Sequence, residues 1–307
     1  MLSLLLAQKI FSLFIMIAMG FALVKSGVVK ARDSWGISNV VLYIVSPCCI
    51  IAAFQVELTD EVRTGFLLAL GAAVVIQLGY LALSWLAGRT LAFDAVEKAS
   101  AAYPNAGNLI IPLVAGLFGQ DWVIYCTAFM AFQTMLLWSH ARSLLMGTGG
   151  VDWRKIATNV NMVAIACGLV LFFTGLRFPA PVADAISGIG QMIGPLSMLI
   201  IGMVMGSMDF KTLTAFKRLP LVVAARLVVF PLVALALLKF SGFTGLSPIG
   251  GQIAVIVLLA ASAPSASTIS QMAQIYHRDA KYANAINVTS ILLCIVTMPL
   301  IVALFQM

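Results

Sequence analysis

The sequence predicts an all-α integral membrane protein of ten transmembrane helices, arranged as two inverted five-helix repeats with broken fourth and ninth spans. Three observations lead there. Of 307 residues, 62% are apolar and 9% charged, whereas a soluble domain carries about 25% charged residues. The 18 basic and 11 acidic side chains are too few to cover a water-soluble globule, which excludes a soluble enzyme, a disordered chain and a nucleic-acid binder. The charges also recur at nearly the interval of about 20 residues that a helix needs to cross the hydrocarbon core. Finally, Pro47 in the second span is echoed by Pro195 in the seventh, and Pro104 in the fourth by Pro264 in the ninth. Five spans thus repeat as five, and an odd repeat inserts its second copy upside down.

In order, the spans read as residues 2–24 around Lys9, 34–56, 64–88, 99–120, 122–141, 156–176, 185–208 and 219–238 around Arg226. A Gly/Ser/Pro-rich turn at 241–251 then precedes a ninth span from Ile253 to Tyr276, and 282–307 is the tenth. Residues 1–24 read as a span rather than a cleaved leader, because they lack a basic start and hold Lys9 in the apolar stretch. The five cysteines lie in apolar runs and read as small buried hydrophobes. The first five spans make a repeat over 1–147, a linker occupies 148–155, and the inverted repeat covers 156–307.

Loop charge sets the orientation, and the net charge of +7 is a topology signal rather than a nucleic-acid footprint. Odd-numbered loops hold Lys25, Lys30, Arg32, Arg89, Lys98, Arg142, Arg154, Lys155, Lys211, Lys217, Arg218, Arg278 and Lys281; even-numbered loops hold only Arg63, Arg177 and Lys239. Basic residues mark the cytoplasmic side, so both termini are expected outside the cell membrane.

The fourth span carries the most informative string, Tyr103-Pro104-Asn105-Ala106-Gly107-Asn108, followed by Ile111-Pro112-Leu113. Each proline removes a backbone donor and clashes with the carbonyl four residues back. In the ninth span Ala263-Pro264-Ser265-Ala266-Ser267-Thr268-Ile269-Ser270-Gln271 again sets a break before good helix-capping residues. Non-helical backbone at membrane depth survives only inside protein or along a watery cavity. The half-helices that follow would start near the midplane with free N–H groups and positive dipole ends, a ready anion site. A packed helix merely kinked at Pro264 is the alternative for the ninth span.

This fourth-span string resembles the motif of the auxin efflux carrier family, which includes plant auxin exporters and bacterial malonate and malate permeases. The proline after the eighth span, Tyr276 at the end of the ninth and the closing Thr297-Met298-Pro299 are similar as well. The resemblance implies the broader bile-acid-symporter type of fold, in which the two broken helices cross. Helices 1, 2, 6 and 7 would form a scaffold and homodimer interface, helices 3–5 and 8–10 the transport domain, and Asn105 the crossover asparagine. The short central loop with Gly147-Thr148-Gly149-Gly150 departs from the plant carriers and has no phosphate-binding ending.

Polar residues inside the spans complete the reading. Arg226 either balances a substrate carboxylate or bonds the carbonyls of a broken helix. Gln77 occupies the corresponding place in the third span. Asn284, Asn287 and Ser290 share one face of the tenth. No Asp or Glu lies within a span, which speaks against an acidic proton relay or cation site. With no Asp pair or His cluster, a membrane enzyme is not expected. The expected activity is secondary transport of a small organic anion, a mono- or dicarboxylate, by an elevator-type movement, with no cofactor. The candidate substrate-binding residues are Pro104, Asn105, Gly107, Asn108, Arg226, Pro264, Ser265, Ser267, Thr268, Gln271 and Asn287. A sodium-coupled symporter of the same fold, an anion channel and a receptor are the alternatives, and Na⁺ or H⁺ coupling stays open.

Overall fold

The computed structural model describes residues 2–208, 213 and 215–307, with side chains from Gln8 onward except that of Asn108. Lys211, one of the loop charges above, lies outside the described residues, as does the side chain of Asn108. Regular structure among the described residues is helical, apart from an isolated bridge between Pro104 and Ser265. In chain order the helices of eight residues or more are α1 (Leu2–Lys25), α2 (Ala31–Ala53), α3 (Asp60–Thr90), α4 (Ala95–Ala102), α5 (Ile111–Phe118), α6 (Gln120–Met146), α7 (Val160–Thr174), α8 (Ala180–Gly206), α9 (Leu219–Phe240), α10 (Gly250–Ser262), α11 (Ser267–Ile275) and α12 (Ala280–Gln306).

Seven of these, α1, α2, α3, α6, α8, α9 and α12, are long and apolar enough to cross a bilayer. The expected fourth and ninth spans are each split in two, as α4 with α5 and α10 with α11. The expected sixth span shortens to the 15 residues of α7. Its start is fixed by the Asn159 side chain, which accepts from the backbone N–H groups of Asn161 and Met162, and its end by Gly175 at φ 70°. Pro104 breaks its span as expected, whereas Pro112 does not: it sits where the π-turn Ala106–Ile110 runs directly into α5, so the proline and the π-turn share one interruption of the helix hydrogen bonds. Pro47 follows a π-turn at Val41–Val45 in α2, and Pro195 follows the joint at Gln191–Met192 within α8.

Two packing groups are evident, joined where α1 also lies against α12. In the first, α1 lies along α8, and α2 packs against α7 and α8. These helices meet at glycines: a Cβ on Gly202 would stand 2.0 Å from the Ile17 carbonyl oxygen, and one on Gly20 would stand 2.3 Å from that of Leu199. Gly190 against Cys49 and Gly168 against the Phe54 ring do the same for α2. Lipid offers no hydrophobic gain on helix association, so close backbone approach and dispersion hold such helices together. In the second group, α3 packs on α6 and α10, α9 on α10, and α12 on α11, around fully buried Tyr80, Phe129 and Phe230.

Candidate substrate site at the helix crossover

The site is built where the two broken spans meet. α4 ends in extended residues at Tyr103 (φ −106°, ψ 109°), and α10 ends at Ala263 (φ −57°, ψ 152°). The two extended segments run antiparallel past each other. The Asn105 N–H donates to the Pro264 carbonyl at 2.7 Å, and the Ala266 N–H donates to the Tyr103 carbonyl at 2.9 Å. Each break thereby satisfies the other's backbone, which a membrane interior demands.

The remaining groups of the bridge are met by side chains from the flanking long helices. Gln133 of α6 donates its amide to the Pro104 carbonyl at 2.5 Å, and Asn287 of α12 donates to the Ser265 carbonyl at 2.5 Å. The Ser265 N–H donates to Ser290 Oγ at 3.0 Å, and Ser290 in turn donates to the Asn287 carbonyl. Gln77 of α3 steadies Gln133 from behind at 3.4 Å. Tyr103 donates its hydroxyl to the Leu136 carbonyl and lies 2.9 Å from His140 Nδ1.

Arg226 lies in a π-turn of α9, Ala225–Val229, and is 0% exposed. Its Nε donates to the Ala263 carbonyl at 3.0 Å, one terminal nitrogen to Ala101 at 2.9 Å, and the other to Ala261. Ala101 closes α4, while Ala261 and Ala263 close α10, so one guanidinium caps the negative ends of both half-helices. The Tyr80 ring lies beneath it at 5.2 Å, and the Tyr80 hydroxyl donates to Ala261. No carboxylate pairs with Arg226 among the described residues. Of the two roles open for this residue, the geometry is that of the carbonyl-bonding one, and its donors are occupied by backbone rather than turned toward solvent.

The opposite ends are different. Asn105 precedes the π-turn Ala106–Ile110 that leads into α5, Ala266 precedes α11, and neither supplies a side-chain cap. The side chains of Asn105, Ser267, Thr268 and Gln271 make no hydrogen bond among the described residues. Ser265 Oγ and Ser270 Oγ are buried without a partner. Asn105 is 7% exposed, Gly107, Ser267 and Thr268 are half-buried, and Gln271 is exposed. The structure thus brings together Pro104, Asn105, Gly107, Pro264, Ser265, Ser267, Thr268 and Asn287, with Arg226 on the far side of the crossover and Asn284 exposed. The crossover also takes in Tyr80, Gln133 and Ser290, which the expected site set does not contain. Tyr80 follows Gln77 by three residues and so shares its helix face, a signal that was available.

At the cytoplasmic end expected for α4, Glu97 is buried and receives Arg218 at 2.8 Å and the Tyr282 hydroxyl at 3.0 Å. It also forms a reciprocal capping pair with Asp94. This carboxylate stays at a helix start, in keeping with spans free of acid.

Compared with known proteins, the chain matches the family model described as membrane transport protein over residues 5–150 and 141–302. No curated protein matches it.

Proposed function

Because the chain belongs to the membrane transport protein family, the auxin efflux carrier family expected from its fourth-span string, it is a multi-pass membrane transporter, and we propose that it is a secondary carrier of small organic anions, most simply mono- or dicarboxylates. The observation that carries this is the asymmetry of the crossover. The C-terminal ends of α4 and α10 share Arg226, whereas the helix starts after Asn105 and Ala266 keep uncapped N–H groups beside unengaged polar side chains. An anion at those starts gains from two positive dipole ends in a low dielectric. Neutral Asn105, Ser267 and Thr268 add donors without a buried charge to stabilise when the site is empty.

In this reading the chain forms ten spans in two inverted repeats. The matching roles of Gln133 in the fifth span and Asn287 in the tenth, each donating to a carbonyl of the bridge, support it. The glycine-packed helices α1, α2, α7 and α8 are the scaffold and dimer-forming part, and the crossover bundle slides against them as an elevator. Both termini face outward, and Arg226 positions the half-helices rather than touching substrate.

The test is counterflow in proteoliposomes with Asn105→Ala and Asn105→Asp, beside a melting curve for each. Both variants should fold, Ala should weaken exchange of labelled carboxylate, and Asp should weaken it further by repelling the anion. If Asp at this position supports exchange better than Ala, the site is a cation site and the sodium-coupled reading replaces this one.

A further inference from the structure

A cavity of about 420 Å³ lies between α1, α5 and α8, lined by Lys9, Ser12, Pro112, Gly116, Gln191 and Gly194 among others. It is separate from the crossover, since Pro112 follows Asn105 by seven residues, roughly 10 Å along a helix. Its volume falls within the range of about 300–1,000 Å³ typical of small-molecule sites. Lys9 is the one charged residue among its walls, and no carboxylate pairs with it among the described residues.

Lys9 is an exposed residue of α1, and its side chain reaches across to α5. A Cβ on Gly116 would meet Lys9 Cδ at 3.7 Å and Nζ at 3.9 Å. The ammonium therefore reaches sideways across the cavity to α5, and the missing side chain at Gly116 leaves it room. An ammonium within a span costs about 2.5–3.5 kcal/mol at the bilayer centre unless it faces a watery cavity or a partner. Among the described residues no hydrogen bond joins Lys9 to the other polar walls, and Ser12 donates to the Gln8 carbonyl at 3.1 Å. Gln120 donates its amide to the Cys49 carbonyl at 3.3 Å, and Gln191 donates to Ser187 Oγ at 3.2 Å. What remains is an open, mostly apolar recess whose one charged wall residue, Lys9, donates to nothing among the described residues, chemistry that selects a small anion.

We infer that this cavity is a second anion site, an antechamber that takes a small carboxylate on Lys9 before it reaches the crossover. The inference rests on the carrier reading above for the identity of the ligand as a carboxylate. A lipid phosphate offers the same charge, and the experiment separates the two sources.

The probe is malonate, and the readout is acylation of Lys9 by an amine-reactive reagent, followed by mass spectrometry on purified protein in nanodiscs with and without phosphatidylglycerol. The set includes wild type and Asn105→Asp, in which the crossover is disabled. Malonate at ten times its dissociation constant should slow Lys9 acylation about tenfold in both proteins and in both lipids. Lys9→Gln should raise KM for malonate exchange about tenfold with kcat unchanged, the loss of one charge-assisted contact, and Lys9→Arg should restore it. Protection that follows phosphatidylglycerol instead of malonate assigns the cavity to lipid and overturns the inference. So does acylation that malonate leaves unchanged. Protection of Lys9 that persists when Asn105 variants leave exchange unaltered would sink the crossover reading and leave the Lys9 site standing.

Discussion

Two groups of helices in this molecule are held by opposite means. α1, α2, α7 and α8 meet by backbone approach at Gly20, Gly202, Gly190 and Gly168. Among the described residues one side-chain hydrogen bond joins them, from Ser46 to Asn161 at 2.9 Å. The crossover bundle is instead tied by side chains that donate to backbone carbonyls: Arg226, Gln133, Asn287 and Tyr80. The difference follows from what each group must solve. Unbroken helices satisfy their own backbone, so small residues and dispersion suffice to join them. Broken helices leave orphan carbonyls and N–H groups at membrane depth, and those must be met by named donors and acceptors. Polar side chains here are spent where the backbone is irregular, and they are withheld at the helix starts after Asn105 and Ala266, where the proposed anion would bind.

The largest effect should come from Arg226→Ala. Each buried carbonyl left without a donor costs about 1–3 kcal/mol, and the variant strips Ala101 and Ala263 of theirs while Ala261 keeps the Tyr80 hydroxyl. A loss of about 3 kcal/mol or more is expected, read as a large drop in melting temperature, with Arg226→Lys recovering part of it. If Arg226→Ala melts normally yet binds anion poorly per folded molecule, the guanidinium is a substrate ligand and the comparison fails at its centre.

Gly202→Ala tests the other group. The new methyl would sit 2.0 Å from the Ile17 carbonyl oxygen and 2.8 Å from the Phe21 nitrogen, so α1 must move away. Overpacking of this kind costs about 1–3 kcal/mol, and anion binding per folded molecule should be unchanged because no crossover residue is touched. Loss of binding at normal stability would mean that the two groups are coupled more tightly than their packing implies.

The smallest effect, about 1 kcal/mol from the loss of one hydrogen bond, is expected for Asn287→Ala. It removes the donor to Ser265 but leaves the bonds between Asn105 and Pro264 and between Ala266 and Tyr103. Its signature should be weaker anion binding with a nearly normal melting curve, since Ser265 loses its anchor beside the helix start of α11. An unaltered affinity would show that Asn287 is packing alone.

The sequence by itself determined the solvent and the breaks. A chain with 62% apolar and 9% charged residues belongs in a bilayer, and Pro104 and Pro264 interrupt their spans for a covalent reason, the missing N–H, that no tertiary contact repairs. The helix ends at Asn159 and Gly175 were equally local, although they cut the sixth span shorter than its run of uncharged residues suggested. Only the tertiary structure decided which orphan groups meet. That Asn105 pairs with Pro264, that Arg226 serves α4 and α10 at once, and that Lys9 faces Gly116 all depend on segments far apart in the chain being packed together. A charge in a span announces that it needs a partner; whether that partner is a carbonyl, a carboxylate or a ligand is a property of what the fold brings within about 3 Å of it.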